Sequence, residues 1–179
     1  MPIFKIENQK LVVVKELQID LEKDIQKLTE ENLELILDLK FIGSEFSLHN
    51  FRIDTLAFDQ ENNSFVIIEY KRDRSFSIID QGYAYLSLML HNKADFILEY
   101  NEKTGKGLRR GDVDWSQSRV LFLANSFTAY QQNAISFKDL PIELWEVKKF
   151  NNDLVLFNEL KSPETSESIK TLQKILTLT

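Results

Sequence analysis

Three runs rich in β-branched and aromatic residues follow one another with only short polar breaks, FIGSEFSL at 41–48, FRIDTLAFD at 51–59 and SFVIIEYK at 64–71. Three consecutive antiparallel strands are the simplest fold for such a series. If QENN at 60–63 forms a four-residue hairpin loop, Asp59 pairs with Ser64 and Asp54 falls opposite Glu69. Side chains opposed in this way have Cβ atoms about 4.5–5.5 Å apart, where two carboxylates repel unless something neutralises them. The two-residue period puts Glu69 and Lys71 on the face that also carries Leu56, Phe58, Phe65 and Ile67, with Tyr70 on the other. An acidic pair at the end of an apolar strip is partly desolvated, which raises a carboxylate pKa, and so costly a placement points to function. A slip of one residue would send the two carboxylates to opposite faces.

The rest of the chain supplies cover for a sheet. IFKIENQKLVVV at 3–14 reads as a small hairpin around Glu7, Asn8 and Gln9. Apolar residues from Leu17 to Leu37 recur every three or four positions, as in an amphipathic helix, with a break near Asn32. Beyond Ser77 a long helical pattern runs through Ile78, Tyr83, Leu86 and Leu90, followed by a shorter helix at 93–100 and a polar loop at 103–111. Strands are expected at 119–124, 142–150 and 154–157, with a helix at 128–137 between the first two. The expected class is α/β (α+β), a central mixed β-sheet flanked by helices. The domain spans 1–160, with the hairpin at 3–14 and the core at 17–150. At 161–179 a linker-like SPETSES leads into the start of a C-terminal helix, as expected for a domain cut from a longer protein or one with a helical tail.

Composition narrows the chemistry. With 179 residues, 43% apolar and 28% charged, and a formal charge of −6, the chain is expected to form one compact soluble domain. It has no Cys, which removes disulfides, thiolate nucleophiles and Cys-ligated zinc, and His49 and His91 cannot build a multi-histidine metal site alone. Any metal must therefore sit on carboxylates. Neither an apolar stretch long enough to span a membrane nor a secretory signal is legible, so the expectation is a cytoplasmic protein without membrane contact. The acidic balance argues against non-specific coating of nucleic acid.

Metal-assisted phosphodiester hydrolysis fits these residues. Mg²⁺ keeps several waters and is held by one or two carboxylates plus substrate phosphate oxygens. Asp54 and Glu69 can supply those carboxylates, and Lys71 is placed to orient water or to stabilise charge on the phosphate.

The order Asp54, Glu69-Tyr70-Lys71, with Glu22 in the first helix and Gln81-x3-Tyr85 in a later one, resembles the PD-(D/E)XK nuclease superfamily, particularly its RecB-like and mismatch-endonuclease-like branches. The similarity covers residues 17–100, and ENLELI, FRIDTLAFD and VIIEYKR are similar to such domains as whole stretches. Ile53 stands where the family name has Pro, a variable position. The resemblance implies a restriction-endonuclease-like core and a Mg²⁺-dependent endonuclease acting on DNA, with Mn²⁺ as a substitute. Carried over residue by residue, it makes Asp54, Glu69 and the Tyr70 main-chain carbonyl metal ligands and Lys71 the catalytic lysine. Glu22 would complete the acidic cluster, with Glu16, Glu30 and Glu31 as other first-helix candidates. Gln81 and Tyr85, four apart on one helix face, would support substrate and lysine.

Arg72 and Arg74 are candidate phosphate contacts beside this motif, and Arg52, opposite Lys71 in this register, could touch phosphate or equally form a structural salt bridge with a carboxylate. Lys103, Lys106, Arg109 and Arg110 form a basic loop that could follow a phosphate backbone or simply be solvated. Trp115 and Trp145 are core or stacking residues, with strand alternation favouring core for Trp145. Neither a P-loop nor a nucleophile elbow is present. DNA is the expected partner, clamped with the help of a homodimer or a fused C-terminal domain. Each motif residue also has an ordinary structural explanation, such as a charged strand end or a polar helix face. Two alternatives therefore stand beside the nuclease: a catalytically silent nuclease-fold module that binds nucleic acid or protein, and a purely structural domain.

Overall fold

The computed structural model describes residues 2–18, 22–72, 77–163 and 166–171. Its central element is the strand Ser64–Lys71, buried along all but its last residue because both faces of the sheet are covered there. In chain order the elements are β1 (Ile3–Glu7), β2 (Lys10–Val14), β3 (Glu16–Leu17), α1 (Glu22–Glu31), α2 (Leu33–Leu37), β4 (Lys40–Leu48), β5 (Phe51–Asp59) and β6 (Ser64–Lys71). Then follow α3 (Ile78–His91), α4 (Lys93–Thr104), β7 (Arg119–Ala124), α5 (Ala129–Ala134), β8 (Ile142–Phe150) and β9 (Leu154–Glu159).

β1 and β2 form a separate two-stranded hairpin, and the remaining strands build one mixed sheet in the order β3-β8-β7-β6-β5-β4, with β9 also on β8. β4, β5 and β6 pair antiparallel, as their short connections require. β6, β7 and β8 pair parallel, and parallel neighbours need crossovers, supplied by α3 with α4 and by α5. On one face Leu56, Phe58, Phe65 and Ile67 pack with Tyr85 and Met89 of α3 and Phe96 and Tyr100 of α4. On the other, Ala57, Val66, Ile68 and Tyr70 pack with Ile25 of α1 and Leu33 of α2. The expected mixed α/β class is the one observed.

Several boundaries differ from the sequence reading. Glu16 and Leu17 are not the start of the first helix but a short strand paired with Phe150 and Lys149 of β8. Leu17 has helical spacing to Ile25, yet the edge of β8 offers it backbone partners. The break near Asn32 is present, and Asn32 Nδ2 donates to the Leu28 carbonyl at 2.8 Å. α4 runs on to Thr104 and takes Lys103 out of the expected loop, stopping where Gly105 adopts φ +66° and donates its N–H to the Asn101 carbonyl. α5 is shorter than expected, opening on a capping box between Thr128 and Gln131. β9 extends two residues further than expected, to Glu159. Residues 161–163 and 166–168 carry neither helix nor strand, and all but the first turn of the expected C-terminal helix lies outside the described residues. Among the described residues no helix is long and apolar enough to cross a membrane.

Candidate active site

The hairpin fixes the acidic residues first. Its register runs from Asp59↔Ser64 to Thr55↔Ile68, as the four-residue loop dictates. There the ladder ends, so Asp54 and Glu69 are not a regular cross-strand pair. The Tyr70 N–H instead donates to Asp54 Oδ2 at 3.1 Å, and the Asp54 carbonyl is taken by Gln26 Nε2 of α1 at 3.0 Å. Side chains thus hold the strands where main-chain pairing has stopped. Burial, and then the nearby charge of Glu69, push the Asp54 carboxyl up to about 6, against the opposing pull of the Tyr70 N–H and Lys71.

Glu69 is 5% exposed, and three side chains converge on it. Lys71 Nζ stands 2.8 Å from Oε1, Gln81 Nε2 donates to the same oxygen at 3.1 Å, and Tyr85 donates from its hydroxyl to Oε2 at 3.0 Å. Gln81 Nε2 also lies 3.4 Å from the Tyr85 hydroxyl, which is 3.2 Å from the Arg52 carbonyl. Burial, followed by the charge of Glu69, raises the Tyr85 phenol above its ordinary range, so it remains a proton donor to that carboxylate.

α3 can present Gln81 and Tyr85 because its start and its depth are both fixed. Ser77 caps it, accepting from the Asp80 N–H at 3.3 Å and donating to Asp80 Oδ2 at 2.7 Å. Gly82, between the two site residues, lets the helix lie against β8, since a Cβ there would stand 2.6 Å from Ile142 Cδ1. Only a residue without a side chain allows this approach undisturbed.

Other expected residues sit at the margin. Glu22 opens α1, and its Oε1 accepts the Arg72 N–H at 2.6 Å, so it holds the chain one residue beyond Lys71. Among the described residues no group of three or more His, Cys, Asp or Glu side chains is placed to hold a metal ion. Arg52 forms a salt bridge, with Glu45 of β4 at 3.0 Å. Arg72 is exposed at the end of β6, and Arg74 lies outside the described residues. The basic loop is remote from the site. Lys106 is close enough to Lys40 to help burial lower its ammonium pKa, and Lys40 pairs with Phe58, towards the opposite end of β5 from Asp54. Trp115 stacks on Phe65 at 5.5 Å, and Trp145 packs against the opposite core.

The sequence reading passed over Gln26, Thr29 and Thr55, which with Glu30, one of the other first-helix candidates, form a polar patch beneath the site. The signal was legible: Gln26, Thr29 and Glu30 have i, i+3, i+4 spacing on the same helix side as Ile25.

No protein-family model matches the sequence. An uncharacterized protein of Haemophilus influenzae is 54% identical over 170 residues, a match that covers 95% of this chain and spans 56% of that relative's length. Among solved structures, EndoMS in its apo form is similar with a TM-score of 0.46 and 17% identity over 81% of this chain and 65% of that one. The EndoMS–dsDNA2 complex gives 0.39 and 16% over the same shares. A repair endonuclease from Pyrococcus abyssi gives 0.39 and 21%, over 76% of this chain and 52% of that one. What the site can do chemically follows from its own geometry.

Proposed function

We propose that this domain is a metal-dependent endonuclease of the PD-(D/E)XK type that hydrolyses phosphodiester bonds in DNA. One observation carries the reading: a buried carboxylate, Glu69, is oriented at once by Lys71, Gln81 and Tyr85, beside a second carboxylate, Asp54, whose pKa its charge helps to raise. The donor set fits a hard divalent cation, because Asp54, Glu69 and the Tyr70 carbonyl are all oxygen donors and a cation relieves the repulsion between the two acids. Mg²⁺, or Mn²⁺ in its place, would supply Lewis acidity at the scissile phosphate and acidify water there. Lys71, half-buried and beside Glu69, stabilises charge on the phosphate oxygens or orients the attacking water. Gln81 and Tyr85 hold the Glu69 carboxylate in one orientation. Glu22 keeps the main chain after Lys71 in place, and Arg52, Arg72 and Arg74 meet the phosphate backbone. A second copy of the chain or a fused C-terminal domain completes the DNA clamp, and the protein works in the cytoplasm.

A second reading, a catalytically silent module that binds nucleic acid or protein, has one observation in its favour. Both Glu69 oxygens are already engaged by protein groups. The deciding experiment is cleavage of labelled single-stranded, duplex and branched DNA by the wild type and Lys71→Ala, with Mg²⁺, with Mn²⁺ and with EDTA. Metal-dependent products that vanish in the variant are expected. Uncut DNA that stays bound in EDTA would transfer the conclusion to the silent module.

A further inference from the structure

We infer that Gln26 is a positioning residue, which, through a polar network on the reverse face of the sheet, sets the spacing between Asp54 and the main chain of Tyr70. Gln26 is 8% exposed, and its Nε2 stands 3.0 Å from the Asp54 carbonyl, 3.0 Å from Glu30 Oε1 and 3.1 Å from Ser44 Oγ. Glu30 Oε1 in turn accepts from Thr55 Oγ1 at 2.5 Å, and that hydroxyl is 3.2 Å from the Tyr70 hydroxyl. Thr55 is fully buried and Tyr70 is 1% exposed. One chain of contacts therefore ties α1 to Asp54 through its carbonyl and to Tyr70 through its ring.

Its location gives the network its role. The β5–β6 ladder stops at Thr55↔Ile68, one step short of Asp54, so although β4 still pairs with Thr55 and Ile53 on either side, main-chain pairing no longer fixes Asp54 against β6. Beyond this point the strands are joined by the bond from the Tyr70 N–H to Asp54 Oδ2. Each strand keeps its outer partner there, β4 for β5 and β7 for β6, and α1 adds a hold on both sides of the bond, directly on the Asp54 carbonyl and, through Glu30 and Thr55, on the Tyr70 hydroxyl. The buried donors and acceptors of the network are costly to leave unpaired, which makes the arrangement stiff.

The consequence for metal affinity rests on the nuclease reading, whereas the positioning itself does not. Two measurements on the full chain separate them. Amide hydrogen exchange is followed at Tyr70, with Val66 in the intact part of the ladder as reference, in the wild type, Gln26→Leu and the isosteric Thr55→Val. The expected result is exchange at Tyr70 about tenfold faster in Gln26→Leu, with Val66 unchanged. Unchanged exchange at Tyr70 in a folded variant, or equal acceleration at both amides, would overturn the inference. Should Gln26→Leu fail to fold, Thr55→Val carries the same test with a smaller perturbation. In parallel, calorimetric titration with Mn²⁺ is expected to show affinity about tenfold weaker in Gln26→Leu. A wild type that binds no Mn²⁺ and cleaves no DNA would sink the nuclease reading, while the exchange result would still decide the role of Gln26.

Discussion

The hydroxyl of Tyr85 stands 3.0 Å from Glu69 Oε2 and reaches it from α3, across the covered face of the sheet. This bond crosses between two elements and satisfies a buried charge, so its loss leaves a carboxylate oxygen underpaired. A hydrogen bond to a charged group contributes about 1.5–3 kcal/mol. Tyr85→Phe is therefore expected to lower DNA cleavage at least about tenfold while leaving a folded domain. Cleavage assays beside thermal unfolding check this, and full activity in the phenylalanine variant would remove Tyr85 from the site.

Lys71 and Asp54 are expected to behave differently from each other. Lys71→Ala should reduce cleavage about a hundredfold or more, since a cation placed to stabilise developing charge is lost. Its Mn²⁺ affinity should be retained or increased, because a competing cation has left Glu69. Asp54→Ala should lose both cleavage and Mn²⁺ binding. Titration calorimetry on both variants separates the two roles, and identical metal affinities in the two would contradict the assignment.

The raised carboxyl of Asp54 gives a pH signature. Its folded value, about 6, lies above the ordinary 3.8, so the folded state holds this proton more tightly than the unfolded chain does. The contribution from this group therefore falls as pH rises from about 4 to about 6, and the full penalty persists above that window. Asp54→Asn has no such proton, so its stability relative to the wild type should increase across the same window. Urea unfolding at several pH values in EDTA measures this, and a constant difference would show that Asp54 titrates normally.

At the other end of the hairpin Arg119 joins Asp59 at 2.9 Å and Glu143 at 2.7 Å, linking β5, β7 and β8. Burial pushes the Asp59 carboxyl up, but bonds from Asn62 and the Arg119 charge outweigh it, so the group lies below its ordinary range. Its contribution is complete above the unfolded value and is lost as pH falls through the folded one. Arg119→Ala is expected to destabilise by about 2–4 kcal/mol, since it strands a mostly buried carboxylate. Mn²⁺ affinity should be unchanged, and a large loss of metal binding would mean that the two ends of the sheet are coupled.

Gly82→Ala is expected to cost about 1–3 kcal/mol and to lower activity together with stability, because the new Cβ displaces α3 and with it Gln81 and Tyr85. The clash is with Ile142 Cδ1 at 2.6 Å, the atom that Ile142→Val removes. The double variant should recover part of both losses. A double variant no better than Gly82→Ala alone would place the effect elsewhere.

Much of the site was legible in the sequence because the pairing of β5 with β6 is local. A four-residue loop and the two-residue alternation of a strand determine the register from Asp59↔Ser64 to Thr55↔Ile68, and they put Glu69 above the core formed by Leu56, Phe58, Phe65 and Ile67. The spacing of Gln81 and Tyr85 on one helix was equally local. What the alternation could not supply was the end of the ladder at Thr55, the capture of the Asp54 carboxylate by the Tyr70 N–H, or the pairing of Arg52 with Glu45. Those depend on where α1 and β4 dock against the hairpin. The same holds for Leu17, whose helical spacing yielded to an open edge of β8, and for the basic loop, which the turn after α4 carries to the far end of the sheet. Sequence by itself determined which residues share a face, because backbone periodicity operates between neighbours. Only the tertiary structure decided which partner each polar atom finds, because that depends on the docking of elements far apart in the chain.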